Sequence, residues 1–524
     1  MARRLKHWGW GYEDEQPSYA ELRGAAAWLS DRLGFAANDP EPPVPLSRVS
    51  LPRARLRAPA ALEPICSAED HDRALHAHGR SYGDIVQGFR GRFDHAPDAV
   101  AHPRSEDELR AVLDWALSAG AAVIPFGGGT SVVGGVELAD AERYAGVVTI
   151  DLKALDRVLD VDRISLAARI QAGATGPRLE QQLAEHGLTL RFFPQSFQFS
   201  PLGGWIATRA GGHFATLHTH IDDLVQSVRA LTPIGAWESR RLPGSGAGVS
   251  PDRMLIGSEG TLGVITEAWV RVRRAPTYRA SASVRFPDFA AGAQAVRALG
   301  QSGLYPTNCR LIDREEARLT GAGDGAQPVL VLGFESADHD VEQPMTLALE
   351  CCSDHGGAYE RSAADGAVGS WREAFLRAPY VRDTCVAIGV LSETFETATT
   401  WDRFPTLHAS VCSAASAATR EVCGGGLVMC RFTHVYPDGP APYYTVLAPA
   451  RRGGELEQWA EIKRAASDAV IAGGGTITHH HAVGREHRPW YDRQRPEPFA
   501  AALRAAKAAV DPTGALNPGV LIDC

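Results

Sequence analysis

Three adjacent histidines, His479, His480 and His481, can carry protons because imidazole titrates near neutral pH. If the short apolar segment before them continues as a strand, His479 and His481 face one way and His480 faces the other. All three then cannot hold one metal ion, and no carboxylate lies at ligand spacing, so we predict no metal site. A polar loop or a structural hydrogen-bond cluster remains the alternative to a role in proton transfer.

Two glycine-rich stretches, residues 125–131 and 258–266, place backbone N–H groups where a large anionic cofactor could lie against bare main chain. The first lacks the Gly-Lys-Ser/Thr ending of a P-loop, and neither has the Gly-x-Gly-x-x-Gly spacing of a dinucleotide-binding turn. Flexible loops use the same residues, so one such run is weak evidence. Here each run adjoins an apolar strand-like segment, and a further Gly-Gly pair lies within residues 202–205, which indicates a cofactor site.

The composition is that of a globular protein with more than one domain. The chain has 524 residues, 44% hydrophobic and 22% charged, which favours two or three domains. Its 53 basic and 62 acidic side chains are interleaved, so nothing indicates a nucleic-acid surface. No apolar run approaches the length of a membrane span, and the start lacks the apolar core of a secretory signal. Nine scattered cysteines without a Cys-x-x-Cys pair, and an ending without a peroxisomal signal, lead us to expect a cytoplasmic, bacterial protein.

A helix, a strand and a loop in succession position the first glycine stretch. Ser105 and Glu108 form a predicted capping box, apolar residues then recur at helical spacing, and Gly120 stands where the helix should end. Residues 121–126 form a predicted buried strand that runs into the glycines. Ligands of open α/β sheets commonly bind at the carboxyl ends of strands, so a ligand is expected there.

Further elements are predicted on both sides of a domain boundary at Pro276. Strands are predicted at residues 147–151, 164–171, 264–272, 329–334 and 443–447. Helices are predicted at residues 19–33, around 179–183, at 455–471 and at 499–510.

Several sequence motifs carry a resemblance to a known family. Residues 125–137, 203–210 and 257–267 are typical of FAD flavoproteins of the vanillyl-alcohol-oxidase type. Residues 309–313, 393–403 and 478–484 are typical more specifically of alkyldihydroxyacetonephosphate synthases. The chain therefore resembles that synthase family, from His7 near its start to Pro512 near its end.

The resemblance implies an α+β fold, with a two-subdomain FAD-binding domain of the vanillyl-alcohol-oxidase (PCMH) type and an antiparallel-sheet cap domain that roofs the flavin. We expect an N-terminal extension at residues 1–91 and the FAD-binding domain at 92–275. The cap would span residues 276–478, and a C-terminal segment, 479–524, would return to the flavin site.

By the same resemblance, FAD would be bound non-covalently by residues of four segments. These are Pro125, Phe126, Gly127, Gly128, Gly129, Thr130 and Ser131; Gln195, Ser196, Phe197, Gln198, Phe199, Ser200 and Pro201; Ala207, Thr208, Arg209 and Ala210; and Glu259, Gly260, Thr261, Leu262, Gly263, Val264 and Ile265. Gln195 and Pro201 depart from the family, which has an acidic residue and a threonine there. Pro201 has no N–H, so it can contact FAD only through its carbonyl or by packing.

The resemblance also implies which side chains carry the chemistry. Tyr443 matches the family's general acid/base, and a phenol with a free pKa of about 10 needs nearby cationic or donor groups to act as a base. The three histidines match donors and proton carriers beside the flavin. Arg382 matches the arginine that grips the substrate phosphate, and Arg310 matches one that orients the substrate or braces the flavin site. A tyrosine of a strand core and arginines of surface salt bridges are the plain alternatives.

The implied activity exchanges the acyl chain of acyl-dihydroxyacetone phosphate for a long-chain alcohol, which gives an ether-lipid precursor without net redox change. We expect these two small-molecule substrates, contact with a membrane surface, no nucleic-acid partner and a homodimer. The alternative on the same fold is an FAD-dependent 2-hydroxyacid dehydrogenase or oxidase, but residues 480–484 lack the His-Gly-Ile-Gly ending common in those enzymes. A flavin-binding protein without catalysis is the third hypothesis.

Overall fold

A computed structural model describes residues 3–362 and 366–523, and this part of the chain forms helices and four β-sheets. The helices are α1 Tyr19–Leu33, α2 Asp70–Leu75, α3 Tyr82–Phe89, α4 Glu106–Ser118, α5 Gly176–Ala184, α6 Leu202–Thr208, α7 Pro251–Leu255, α8 Phe289–Gln301, α9 Arg314–Thr320, α10 Glu342–Ser353, α11 Gly366–Ala387, α12 Phe404–Cys423, α13 Glu455–Ala472, α14 Arg488–Gln494 and α15 Glu497–Val510. The strands are β1 Cys66–Ser67, β2 Ala99–Ala101, β3 Ala122–Phe126, β4 Val147–Asp151, β5 Val158–Asp162, β6 Ala167–Gln171, β7 Leu188–Thr189, β8 Val225–Thr232, β9 Gly235–Glu238, β10 Val264–Arg271, β11 Arg273–Arg274, β12 Tyr278–Arg285, β13 Asn308–Ile312, β14 Val329–Ser336, β15 Ala358–Ser362, β16 Val390–Glu396, β17 Leu427–Val435 and β18 Pro440–Pro449.

The first sheet carries the first glycine stretch at the end of β3. Its strand order is β1-β2-β4-β3, and β4 runs parallel to both β2 and β3. The Ser105 hydroxyl accepts the Glu108 N–H at 3.2 Å and so caps α4. The Glu108 carboxylate instead accepts the Arg104 N–H at 2.7 Å, so only half of the predicted capping box forms. Gly120 has φ +68° and ends the helix as expected.

The second sheet is antiparallel, with strand order β5-β6-β10-β8-β9. The strand predicted at residues 164–171 begins later than expected, at Ala167. Ile164 is 98% exposed, because the Asp162 carboxylate accepts the N–H groups of Ile164 and Ser165 and closes a turn there. The alternation of apolar residues therefore led us to predict a strand over residues 164–166, which form a turn instead.

The largest sheet has seven antiparallel strands in the order β15-β12-β14-β13-β17-β18-β16. One face packs on α8, α10, α12 and α13, where Phe395, Cys430 and Tyr444 belong to the buried core. Because side chains alternate along a strand, the intervening residues of β16, β17 and β18 face the other way. That opposite face roofs the candidate site.

Residues near both ends of the described chain pack against the rest of the fold. Trp8 and Trp10 are buried with Phe89, and the Trp10 N–H donates to Asp383 at 2.8 Å. Near the other end, Leu516 forms a bridge beside Val123 of β3. None of the described helices combines the length and apolar character needed to cross a membrane.

Candidate active site

A cavity of about 550 Å³ lies between the glycine stretches and the seven-stranded sheet. It brings together most of the positions predicted to hold the cofactor. These are Pro125, Phe126, Gly127, Gly128, Gly129, Thr130, Ser131, Gln195, Ser196, Ser200, Pro201, Ala207, Thr208, Ala210, Glu259, Gly260, Gly263 and Ile265.

The remaining predicted cofactor positions do not line this cavity. They are Phe197, Gln198, Phe199, Arg209, Thr261, Leu262 and Val264. Leu262 and Val264 are wholly buried in the core, and the Gln198 side-chain oxygen accepts the Tyr380 hydroxyl at 2.7 Å. Arg209 pairs with Asp222 at 2.8 Å. The resemblance assigned whole runs of consecutive residues to the cofactor site. Neighbouring residues in a loop or strand point in different directions, so the sequence could not tell which residues of each run face the cavity.

The glycine loop fits a cofactor that approaches bare main chain. A Cβ atom at Gly127 would lie 2.6 Å from Cγ of Pro201, and one at Gly128 would collide with the carbonyl oxygen of Phe199. Gly129 has φ +64°, a conformation that other residues rarely adopt. The loop is thus pressed against residues 199–201 with its main chain on the cavity wall, as a cradle for FAD requires.

The charges around the cavity favour an anionic ligand. Its basic residues are Arg310, Arg377, Arg382 and Arg431. Its acidic residues are Glu259 and Glu316. Glu259 accepts the N–H groups of Val483 and Gly484 at 2.9 and 2.8 Å, and burial raises its pKa to about 7. Because Glu316 pairs with Arg431, both acidic groups already have partners, and the pyrophosphate of FAD would meet an excess of positive charge.

The pairing of the strands places Tyr443 between a glutamate and an arginine on the roof of the cavity. Tyr443 on β18 is the direct partner of Glu396 on β16 and of Arg431 on β17. The Arg431 guanidinium lies 3.9 Å from the centre of the buried Tyr443 ring. Arg431 is therefore the cation beside the phenol that the sequence required but did not identify.

Both arginines that the sequence predicted for the site, Arg310 and Arg382, line the cavity. Arg310 is 2% exposed, and burial followed by repulsion from Arg431 lowers its pKa to about 9. Its Nη1 donates to the carbonyl of His213 at 3.1 Å, while its buried Nε has no hydrogen-bond partner among the described residues. Arg382 on α11 donates to the Arg80 carbonyl at 2.9 Å and to the Thr394 hydroxyl at 2.8 Å, which fixes its guanidinium at the cavity wall.

The histidine triplet is a tight turn around one carboxylate, so the predicted alternation along a strand is wrong. Glu396 accepts the backbone N–H groups of His479, His480 and His481 and also the hydroxyl of Thr478. Three successive N–H groups can converge on one acceptor only in such a nest-like turn, which an extended strand cannot form. As a result, His480 and His481 both line the cavity.

His479 lies behind the cavity wall and contacts other polar side chains. Its Nε2 lies 2.8 Å from the hydroxyl of Tyr436, and its Nδ1 lies 3.0 Å from Nδ1 of His480. Burial lowers the pKa of His480 and His481 to about 3 and that of His479 well below its ordinary value. One ring nitrogen each of His434, His479 and His480 lie within 4.8 Å of one another, close enough to suit a metal ion, so the absence of a metal stays a prediction.

Four site residues were missed from the sequence: Glu316, Glu396, Arg431 and His434. The signal for Arg431 was present, since Arg431 and Thr433 alternate with the apolar Cys430 and Phe432 on β17 and line the cavity. A register shift between Phe432 and His434 breaks this alternation, so that Thr433 and His434 both line the cavity. Such a bulge is not visible in one sequence.

One part of the cavity lining, which we call the apolar branch, consists mainly of apolar side chains. The residues along it come from α1, α9 and α11 and include Trp28, Leu29, Leu319, Trp371, Phe375, Ala378 and Val381. Trp28 is 43% exposed and Val381 is 51% exposed, so both also reach the surface. An alkyl chain could enter by this branch.

Comparison with known proteins finds relatives over almost the whole chain. The model of the FAD binding domain matches residues 97–239, and that of the C-terminal domain of FAD linked oxidases matches residues 275–521. The chain is 30% identical to alkyldihydroxyacetonephosphate synthase of Dictyostelium discoideum, over 86% of this chain and 77% of that protein. It is 31% identical to the Caenorhabditis elegans synthase, over 99% and 95% of the two chains. A solved structure of alkyldihydroxyacetonephosphate synthase is similar with a TM-score of 0.82 at 25% identity, covering 98% of both chains. These matches confirm the predicted FAD-binding fold and FAD as the cofactor.

Proposed function

This chain belongs to the alkyldihydroxyacetonephosphate synthase family of FAD-dependent enzymes, and we propose that it exchanges the acyl chain of 1-acyl-dihydroxyacetone phosphate for a long-chain alcohol. The products are the alkyl ether, an ether-lipid precursor, and a fatty acid. The observation that carries the proposal is a single cavity that joins a glycine cradle, a tyrosine flanked by arginine and an apolar branch. Each part suits one component of the reaction.

The glycine loop at residues 127–129 and the Gly-Gly pair at residues 203–204 would hold FAD against the cavity wall. When bound, FAD would supply an electrophilic ring. The protein would position the substrate beneath the seven-stranded sheet, which lines the cavity and would keep water from the reacting atoms.

The arginines would bind the substrate phosphate. Arg382 is held by two hydrogen bonds to the protein, which leaves its remaining N–H groups for phosphate oxygens. Arg310 adds a buried Nε–H that has no partner in the part of the chain that the structure describes. Together they would fix the three-carbon substrate beneath Tyr443.

Tyr443 would remove and return the proton at the reacting carbon. The Arg431 guanidinium lies 3.9 Å from the centre of its ring. Although burial lowers the pKa of Arg431, Glu316 and Tyr443 keep it above its ordinary value, so a cation stays beside the phenol. His480 and His481, held neutral by burial, can accept a proton beside it.

The apolar branch would take the acyl and alkyl chains. Because Trp28 and Val381 are exposed at its outer end, lipids could enter from a membrane surface without crossing water. Contact with a membrane and a homodimeric state are parts of this proposal, the second supported by resemblance alone.

The test is to incubate the purified, FAD-loaded protein with acyl-dihydroxyacetone phosphate and labelled hexadecanol. We expect a labelled ether and one free fatty acid for each ether formed, with no ether when FAD is removed. The proposal is wrong if no ether forms while D-lactate or glycolate bleaches the flavin rapidly without oxygen, since that outcome identifies a 2-hydroxyacid dehydrogenase.

A further inference from the structure

A chain of hydrogen-bonding atoms leads from the cavity to a second cleft in the protein. His480 lines the cavity, and its Nδ1 lies 3.0 Å from Nδ1 of His479. The opposite nitrogen of the His479 ring, Nε2, lies 2.8 Å from the Tyr436 hydroxyl. Tyr436 lines a separate cleft of about 630 Å³, formed with residues 398–400, 402–403, 438–440 and 474.

Two groups beyond Tyr436 can accept a proton from it. The Tyr436 hydroxyl lies 3.0 Å from Oγ1 of Thr219 and 3.4 Å from Nδ1 of His220. Nε2 of His220 lies 2.9 Å from the carbonyl oxygen of His479 and must donate to it. Neutral His220 therefore keeps Nδ1 as an acceptor, turned toward Tyr436 and Thr219.

We propose that His480, His479 and Tyr436 form a relay that carries a proton from the active-site cavity to His220, which contacts the Tyr436 hydroxyl. The inference rests on the proposed exchange reaction, which releases one proton in each turnover at neutral pH. The bond from carbon to the carboxylate oxygen breaks, a bond from carbon to the alcohol oxygen forms, and the alcohol gives up its O–H proton. The fatty acid leaves as an anion, and no electrons are gained or lost.

The relay works because each ring uses its two nitrogens in opposite directions. When His480 gains a proton from the cavity side, its Nδ1–H can pass to His479, the His479 Nε2–H to Tyr436, and the phenol proton to Nδ1 of His220, directly or through the Thr219 hydroxyl. His480, His479 and Tyr436 each gain one proton as they lose another, and the transferred proton ends on His220.

The surrounding residues keep the rings of His479 and His480 neutral and oriented for this proton transfer. Burial lowers the pKa of both histidines, so at neutral pH each ring has one bare nitrogen. Arg310 and Arg431 act on His480 in the same direction. Glu396 has one oxygen 3.6 Å from Nδ1 of His480, and it orients both histidines because it accepts their backbone N–H groups.

Removal of the Tyr436 hydroxyl tests the relay. Tyr436→Phe in the FAD-loaded protein should lower kcat by about 10- to 100-fold. The KM for acyl-dihydroxyacetone phosphate and the FAD content should not change. The solvent deuterium isotope effect on kcat should rise, and added imidazole should restore part of the lost rate by carrying the proton instead.

Tyr444→Phe is the matched control. It removes the same atom from a tyrosine whose hydroxyl lies 3.2 Å from His408 and outside the relay, so kcat should stay near that of the wild type and should not respond to imidazole. The relay is overturned if Tyr436→Phe keeps the wild-type kcat, or if its rate falls without any response to imidazole. A wild-type protein that binds FAD but makes no ether overturns the proposed function itself, and the relay with it.

Discussion

Tyr443 is the single side chain on which the proposed chemistry depends most. Tyr443→Phe keeps the ring under Arg431 but removes the ionisable oxygen, so kcat for ether formation should fall by about 10²- to 10⁴-fold. Flavin absorbance and the thermal midpoint of unfolding should stay unchanged, because the cradle at residues 125–131 is not altered. Retention of most of the activity would assign the proton transfer to another group.

Arg382 is predicted to act on substrate binding rather than on turnover. Arg382→Gln removes a cation that can pair with phosphate, so KM for acyl-dihydroxyacetone phosphate should rise by about 10- to 100-fold. Arg318→Gln is the control, because Arg318 contacts Glu315 and the Arg32 carbonyl outside the cavity. Steady-state kinetics with both variants would refute the assignment if the two KM values were equal.

At the scale of elements, the turn at residues 478–481 owes its shape to Glu396 on β16. Glu396→Gln leaves only one oxygen for several donors and sets an NH₂ group against backbone N–H groups. We expect the protein to lose about 2 kcal/mol of stability, as for a buried hydrogen bond to a charged group. Thermal unfolding of the FAD-loaded protein measures this loss.

Glu360→Gln is the comparison for that experiment. Glu360 lies on β15 and pairs with Arg285 at an exposed position, where such pairs contribute little. If the two variants unfolded at the same temperature, the converging hydrogen bonds at Glu396 would not stabilise the turn.

Elements with strong local signals could be predicted from the sequence, and those set by distant contacts could not. The helix at Tyr19–Leu33 follows from its capping residue and apolar spacing. By contrast, the turn of the histidine triplet depends on Glu396, which is far away in the chain. Arg431 contacts Tyr443 only because β17 pairs with β18. The register between two strands cannot be predicted from the sequence of either strand alone.

At the scale of the whole molecule, buried histidines predict that acid destabilises the protein. Burial lowers the pKa of His480 and His481 to about 3, and it lowers that of His434, His479 and His487 well below the ordinary value. In the unfolded chain these groups titrate near 6.5. Their contribution to stability is therefore complete above pH 6.5 and is lost as the pH falls from 6.5 toward 3.

Buried carboxyls act in the opposite direction, but we expect the five histidines to outweigh them. Burial raises the pKa of Glu259 and Glu486 to about 7 and that of Asp313 and Asp383 to about 6, so their contribution is complete below about 4 and is lost as the pH rises through 6 to 7. The midpoint of thermal unfolding should thus be lower at pH 5.5 than at pH 7.5. His487→Gln should lessen this difference, by about 1 kcal/mol in stability, whereas exposed His339→Gln should not. A midpoint that rises on acidification would contradict the prediction.

The entrance of the apolar branch predicts how the whole molecule meets a lipid surface. Trp28 lies both on the cavity wall and at the surface, whereas Tyr19, also exposed on α1, does not line the cavity. The two are nine positions apart and so lie on opposite sides of the helix. Trp28→Glu should weaken binding to uncharged phosphatidylcholine vesicles by about tenfold, because an apolar side chain no longer leaves water on contact. Tyr19→Glu should leave vesicle binding unchanged in the same sedimentation assay. Equal loss in both variants would show that lipids meet another part of α1 than the mouth of the branch, and unchanged binding in both would exclude the mouth as the contact.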